Sequence, residues 1–442
     1  MSSMPEDRAA ARRRREPWVV VALLWFCGFF NYADRQAVFS VLPLIRSEFA
    51  LNDTQVGYLG SAFMIVYALA APIAGSVVDR RPRRTLIVLG LGVWSAVCAL
   101  TGTARSFAQL IFYRAAEGLG ESFYFPASMS LLADHHGKRT RSKAMAIHQS
   151  SVYLGTIGGG ALAGLMAQWT GDWRTPFLVL GLVGMAYAVS LRFLLNEPKR
   201  GATEEPGSLA LDPEFSAHVA PPHDPEIRET FGDRLSEFGR RLGLIVRQPA
   251  AVFLLLGFGV ANFVAASLLA WLPLFVFNKF KLNLANASLT ATTSMQLGSV
   301  LGVLLGGWLA DRAARRAGGR MRVQALGLIF AAPFLYVLGT TESVAILIAT
   351  LGAVGLGKGI YDSNIFAAMY DVVPVEVRGT AAGLLNTVGW TFGSLAPTAI
   401  GIVADSRYGL SIALASTTAF YFVAAGLVLI AGFLARRRAA GL

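Results

Sequence analysis

Residues 75–84 read GSVVDRRPRR, and residues 307–316 read GWLADRAARR. Both fit G-x-x-x-D-R-x-x-R-R, and the second copy begins 232 positions after the first. Three more pairs recur in order near that offset: GLGES at 118–122 with GLGKG at 355–359, RSKAMA at 141–146 with RGTAAG at 378–383, and Asn31-Tyr32 with Asn262-Phe263. One short match carries little weight, but four in order at near-constant offset indicate a chain built from two copies of one unit.

The composition says what kind of unit. The 442 residues are 54% hydrophobic and 15% charged, with mean hydropathy +0.52. Soluble domains carry about 25% charged residues, so the deficit is large. The charges cluster between long apolar runs, which is the pattern of membrane spans. Twelve such runs are expected, at roughly 18–45, 55–78, 85–104, 107–133, 144–169, 175–195, 250–277, 288–310, 323–339, 343–370, 379–404 and 409–435. The first follows Arg12–Arg15 and is about twice as long as a signal-peptide core, so it is expected to stay as an anchor.

Between the sixth and seventh runs, residues 196–248 are rich in Pro, Glu, Asp and Arg and cannot cross a bilayer. Leu235, Phe238, Leu242 and Ile245 near its end have helical spacing, as in a helix lying on a membrane surface. The expected organisation is a six-helix half over 1–195, a cytoplasmic linker with an amphipathic helix over 196–248, and a second six-helix half over 249–442. The fold class is an all-α membrane protein of twelve transmembrane helices in two pseudo-symmetric halves.

With the N-terminus on the cytoplasmic side, twenty-nine lysines and arginines fall in inner segments. Six fall outside: Arg46, Arg105, Arg174, Lys279, Lys281 and Arg407. That asymmetry predicts a multi-pass protein of the cell (inner or plasma) membrane with both termini cytoplasmic. It also assigns the net charge of +12 to anchoring and not to nucleic acid. Cys27 and Cys98 lie within apolar runs, which excludes a disulfide framework, and neither has metal-ligand company. His135 and His136, beside Lys138, Arg139 and Arg141, are expected to be solvated loop residues.

Several charges fall inside the spans. FFNYADRQAV at 29–38 places Asp34 and Arg35 within the first run, where an ionisable side chain costs at least a few kcal/mol. Adjacent residues point about 100° apart on a helix, so each must look to another helix. The fourth run supplies Arg114, Glu117 and Glu121, whose spacings of three, four and seven share one face. Arg114 and Glu121 are about 10 Å apart in height at 1.5 Å per residue, so they line one space without neutralising each other. Arg114 and Glu121 are the available partners, with Asp34 expected near Arg114 in one state and Arg35 facing a solute cavity. In the tenth run the counterpart of Glu121 is Lys358, with Asp362 one turn on. These seven groups carry three positive and four negative charges, so one added proton makes the set neutral and two make it positive. Such a set suits an anion arriving with protons. Tyr67, Gln149, Tyr153, Asn262, Gln296, Tyr361, Ser363, Asn364, Asn386 and Trp390 also interrupt apolar runs and could hydrogen-bond the rest of a solute. The glycine runs at 155–164 and 296–307 suit helices that pack closely or slide.

The loop motifs resemble the signature of the major facilitator superfamily, and the resemblance covers nearly the whole chain. The usual glycine before the last two basic residues is Pro82 in one copy and Ala314 in the other. The resemblance implies a transporter whose halves rock about a site at the bilayer midplane. It makes Gly75, Asp79, Arg80, Arg83, Arg84, Asp311 and Arg312 a gating and structural set, with Asp79 and Arg80 bracing neighbouring helix ends. NYADRQAVFSVLPLI, the arginine and glutamate of FYRAAEGLGESFYFP, and GTAAGLLNTVGW resemble the anion:cation symporter family. That implies proton coupling and anion binding at Asp34, Arg35, Arg114 and Glu121. Glu121 would be the main proton carrier, with Asp34 and Glu117 as further proton sites. Arg35 or Arg114 would hold the solute carboxylate, in a site shared with Tyr67, Gln149, Tyr153, Lys358, Tyr361, Asp362, Asn386 and Trp390. NYADR, GDWR at 171–174 and NEPKRGA at 196–202 also resemble the spinster family, whose eukaryotic members handle lysolipids and sphingolipids.

The expected function is therefore proton-coupled symport of a small organic anion, such as a sugar acid, by alternating access. The alternatives are a spinster-like lipid transporter and a proton-driven efflux antiporter. No enzyme motif is present: G-x-S-x-G, H-E-x-x-H and C-x-x-C are all missing from the sequence. No cofactor beyond the coupling proton, no nucleic-acid partner and a monomeric state in the lipid bilayer are expected.

Overall fold

The computed structural model describes residues 4–78, 80–137, 140–200, 202–203 and 231–440. They form helices joined by turns and loops, with no strand among the described residues. The first seven helices are α1 (Met4–Glu48), α2 (Asp53–Val78), α3 (Arg83–Thr101), α4 (Phe107–Glu121), α5 (Tyr124–His135), α6 (Arg141–Thr170) and α7 (Arg174–Leu194). Then come α8 (Phe231–Val246), α9 (Pro249–Phe280), α10 (Leu284–Ala313), α11 (Gly319–Thr340), α12 (Val344–Asp362), α13 (Ile365–Tyr370), α14 (Arg378–Ala404) and α15 (Gly409–Ala439). Residues 204–230 of the expected linker, and Asp79 of the first loop motif, lie outside the described residues.

Eleven helical segments are long and apolar enough to cross a bilayer, counting α12 and α13 as one. The twelfth crossing is α4 followed by α5, which the sequence predicts as one continuous span over 107–133. It is broken at Ser122–Phe123. Pro126, the third residue of α5, has no N–H for the Ser122 carbonyl, and its ring crowds that carbonyl, so the helix parts there. The run at 343–370 is broken as well, at Ser363–Asn364. Its break has no proline. There the Asn364 amide turns outward and donates to the Gly306 carbonyl of α10 at 3.2 Å.

A further repeat marks the turns after the first helix of each half. Phe49-Ala50-Leu51-Asn52 and Phe280-Lys281-Leu282-Asn283 share F-x-L-N. Ala50 and Lys281 have φ of 50° and 54°, the only non-glycine positive φ values among the described residues. Each asparagine then caps the next helix: Asn52 Oδ1 accepts from Gln55 N at 2.8 Å, and Asn283 Oδ1 from Asn286 N at 2.8 Å. Gln55 Oε1 in turn accepts from Asn52 N at 3.0 Å, which completes a capping box.

The chain divides into two compact units, one of Met1–Glu204 with Ala270–Thr292, the other of Glu205–Leu269 with Thr293–Leu442. In the first, α1 packs along α6, α3 along α7 and α2 along α4. The α9–α10 turn belongs to this unit, where Ser288 Oγ lies 2.9 Å from Ser40 Oγ. In the second, α11 packs against α12 and α15. Apolar side chains gain little from leaving lipid for protein, so close van der Waals contact must hold these helices together. The glycines of the two GLG strings permit it. A Cβ on Gly118 would stand 2.4 Å from the Phe63 carbonyl oxygen, and one on Gly355 would stand 2.1 Å from that of Met295.

Candidate functional site

Helix α1 runs unbroken through Asp34 and Arg35, so its own ladder satisfies the backbone and leaves the two side chains to be matched by neighbours. Those neighbours are α2 and α4. The Arg35 Nε donates to Glu121 Oε2. The Arg114 Nη1 donates to Glu117 Oε2, one turn along its own helix. All five ionisable residues are buried, none more than 9% exposed. Neither Asp34 oxygen has a hydrogen-bond partner.

Asp34 is close enough to Arg114 to feel its charge but forms no ion pair with it in this structure. Arg114 is taken by Glu117, because the i, i+3 spacing brings that carboxylate to it without any contact between helices. Arg35 reaches Glu121, one of the fourth-run groups available to the charges of the first run. Fully ionised, the cluster holds three carboxylates and two guanidiniums.

Aromatic rings complete it. The Arg35 guanidinium carbon lies 4.8 Å from the centroid of Tyr32 and 4.9 Å from those of Phe63 and Tyr67. The Arg114 carbon lies 4.9 Å from Phe63, so one ring serves both cations. Tyr67 was anticipated from the sequence; Tyr32 and Phe63 were not. Both were detectable from helical spacing, since Tyr32 precedes Arg35 by three residues and Phe63 precedes Tyr67 by four.

In the second unit, Lys358 Nζ pairs with Asp362, and both side chains are partly open, at 25% and 32% exposure. Tyr361 is buried, Tyr153 and Trp390 are half-buried, and Gln149 and Asn386 are exposed. Of the neutral polar residues expected around the solute, Tyr67 lies against the charged cluster of the first unit.

In the loop motifs, the residue that braces the helix ends is Arg83. Its guanidinium bonds Asp134 at the end of α5, Glu197 just after α7 at 2.8 Å, and the Pro198 carbonyl at 3.1 Å. Glu197 also accepts from Arg84 N at 2.6 Å, and Arg200 caps the Val78 carbonyl at 2.6 Å. Arg80 is exposed, and Gly75 stands in open space. The second half repeats the Arg83–Asp134 pair with Arg320 and Asp371, at 2.6 Å. The sequence motif points to Arg315 instead, because five extra residues separate the second loop from its helix. Asp311 and Arg312 are exposed, and the Arg312 guanidinium lies 3.6 Å over the Trp308 ring.

His136 departs from its expected solvated state. It is 2% exposed, with Nε2 at 3.1 Å from the Pro17 carbonyl, Nδ1 at 3.1 Å from Thr140 Oγ1, and the ring against Trp18. The carbonyl can only accept, so Nε2 carries the hydrogen. Burial holds its pKa below the ordinary histidine value. No group of His, Cys, Asp and Glu among the described residues could hold a metal ion.

Twelve crossings in two repeated halves, with a charged and aromatic cluster buried inside a span, define a multi-pass membrane transporter. The family model described as Major Facilitator Superfamily matches residues 24–398, and the chain belongs to that superfamily. Protein spinster of Drosophila melanogaster is 27% identical over 329 residues, covering 73% of this chain and 50% of that protein, so the chain spans half of that relative's length. The Probable L-galactonate transporter of Escherichia coli (strain K12) is 23% identical over 413 residues, covering 92% of this chain and 87% of that one. The crystal structure of a bacterial homolog to the human lysosomal transporter spinster, inward-facing and unoccupied, is similar with a TM-score of 0.80 at 21% identity. The match covers 95% of this chain and 98% of that one, and it bears on the fold alone.

Proposed function

We propose that the protein is a proton-coupled transporter of a small organic anion, working by alternating access in a cell membrane with both termini cytoplasmic. The observation that carries this is the Arg35–Glu121 pair inside a cluster with one carboxylate to spare. A proton delivered to Glu121 releases Arg35. The freed guanidinium then offers its fork of donors to a solute carboxylate beside the rings of Tyr32, Phe63 and Tyr67. Asp34 and Glu117 provide further proton sites. Arg114 stays neutralised by Glu117 and fixes the Phe63 ring. Lys358 and Asp362 form a second, more open charged pair within the second unit. Protons are the coupling ion, and the chemistry needs no cofactor.

A spinster-like lipid transporter is the second reading. Three rings around one buried guanidinium suit an anionic headgroup carried on an apolar chain. Thermal-shift measurement on purified protein separates the two readings. Stabilisation by L-galactonate or another sugar acid, and not by lysophospholipid, supports the first; the reverse pattern supports the second.

A further inference from the structure

We propose that one end of the second unit is a docking surface for anionic phospholipid headgroups, with α8 as its membrane-facing element. α8 rests against Val375–Val377 and α14. Its apolar stripe is covered only in part: Ile245 is fully buried and Leu242 half-buried, but Phe238, on the same face two turns earlier, is 52% exposed. Among the described side chains, the stripe therefore passes from a covered end at Ile245 to an exposed aromatic ring at Phe238.

Arginines outnumber the acids around it, exposed Glu376 of the adjoining turn included. Arg240 and Arg241 both bond Glu237, at 2.8 and 2.7 Å, so one acid serves two cations. Arg438 Nη1 donates to Gln248 Oε1 at 2.5 Å, which ties the last turn of α15 to the elbow between α8 and α9. Exposed Arg247, Arg436 and Arg437 gather at that elbow and form no ion pair among the described residues. Asp371, nearby, is engaged by Arg320.

Two arginine–aromatic stacks at the same end, Arg312 on Trp308 and Arg437 on Phe433, involve exposed rings. Such rings sit at the level of lipid headgroups. An exposed aromatic residue beside excess guanidinium matches a surface of lipid phosphates above acyl chains: Phe238 enters the boundary and the arginines bind phosphate. A neutral bilayer would satisfy the ring but not the charge.

The test uses the full chain with Gly239→Cys, a position on α8 with open space around it, labelled with an environment-sensitive fluorophore. Cys27 and Cys98 are buried and stay unlabelled. The labelled protein is placed in nanodiscs of phosphatidylcholine alone or with phosphatidylglycerol. The expected result is a blue-shifted emission only with phosphatidylglycerol, reversed by high salt. The shift should also be lost in a variant carrying Arg240→Gln, Arg247→Gln, Arg436→Gln and Arg437→Gln. Equal emission in both lipids, a shift that survives in the variant, or the same shift produced by inorganic phosphate in phosphatidylcholine would overturn the proposal. If the variant does not fold, the lipid and salt comparison on the parent protein decides alone.

Discussion

Arg35 crosses from α1 to bond Glu121 on α4, while Asp34, its neighbour in sequence, has no hydrogen bond on either oxygen. The two adjacent charges thus have different relations to their surroundings. Arg35 has a partner that a proton can remove; Asp34 lacks one, in a region where an uncompensated ion is costly.

Glu121→Gln mimics the protonated acid and leaves Arg35 permanently released. Uptake driven by a pH gradient into proteoliposomes should be lost, while exchange of solute across the membrane is retained. Full gradient-driven accumulation by this variant would move the proton site elsewhere.

Arg35→Lys keeps the charge and removes the guanidinium fork. Loss of one charge-assisted hydrogen bond is worth about 1.5–3 kcal/mol, so affinity for a carboxylate solute should fall roughly ten- to a hundredfold. Titration by isothermal calorimetry gives the comparison, and an unchanged affinity would point to Lys358 as the anion-binding group.

The packing account is tested away from the charges. Gly118→Ala and Gly355→Ala each push a Cβ into a backbone carbonyl on the facing helix, and each should destabilise by about 1–3 kcal/mol. Gly426→Ala, with nothing within 4 Å of the new atom, should be neutral or slightly stabilising. Thermal unfolding in detergent reads all three, and equal midpoints would show that these glycines do not set the helix spacing.

Arg83→Gln removes the cation shared by Asp134 and Glu197. Those carboxylates are 14% and 26% exposed, so water relieves part of the cost and about 1–3 kcal/mol is expected. Arg80→Gln, at an exposed position, should cost much less in the same unfolding assay.

Much of this was legible in the sequence. The apolar runs, the repeat and the five charges on α1 and α4 follow from composition and helical periodicity, which act locally. Pairing was not legible. Helical spacing placed Arg114, Glu117 and Glu121 on one face, yet it could not rank Glu117 above Asp34 as the partner of Arg114, because that depends on how α1 and α4 approach each other. The Arg320–Asp371 pair was hidden by a five-residue insertion that shifted the second motif against its helix. The break after Ser122 was available from Pro126, whereas the break after Ser363 rests on a bond from Asn364 to another helix, which no local pattern encodes.

The most direct test is proton movement on adding solute. Protein reconstituted in vesicles containing a pH-sensitive dye is exposed to a panel of sugar acids, including L-galactonate, and dicarboxylates, with lysophospholipid for comparison. Proton-coupled anion transport predicts that at least one carboxylate drives protons across together with itself, that a protonophore abolishes the signal, and that Glu121→Gln does not produce it. If no carboxylate in the panel moves protons and the protein translocates lysophospholipid instead, the anion reading is contradicted and the lipid reading replaces it.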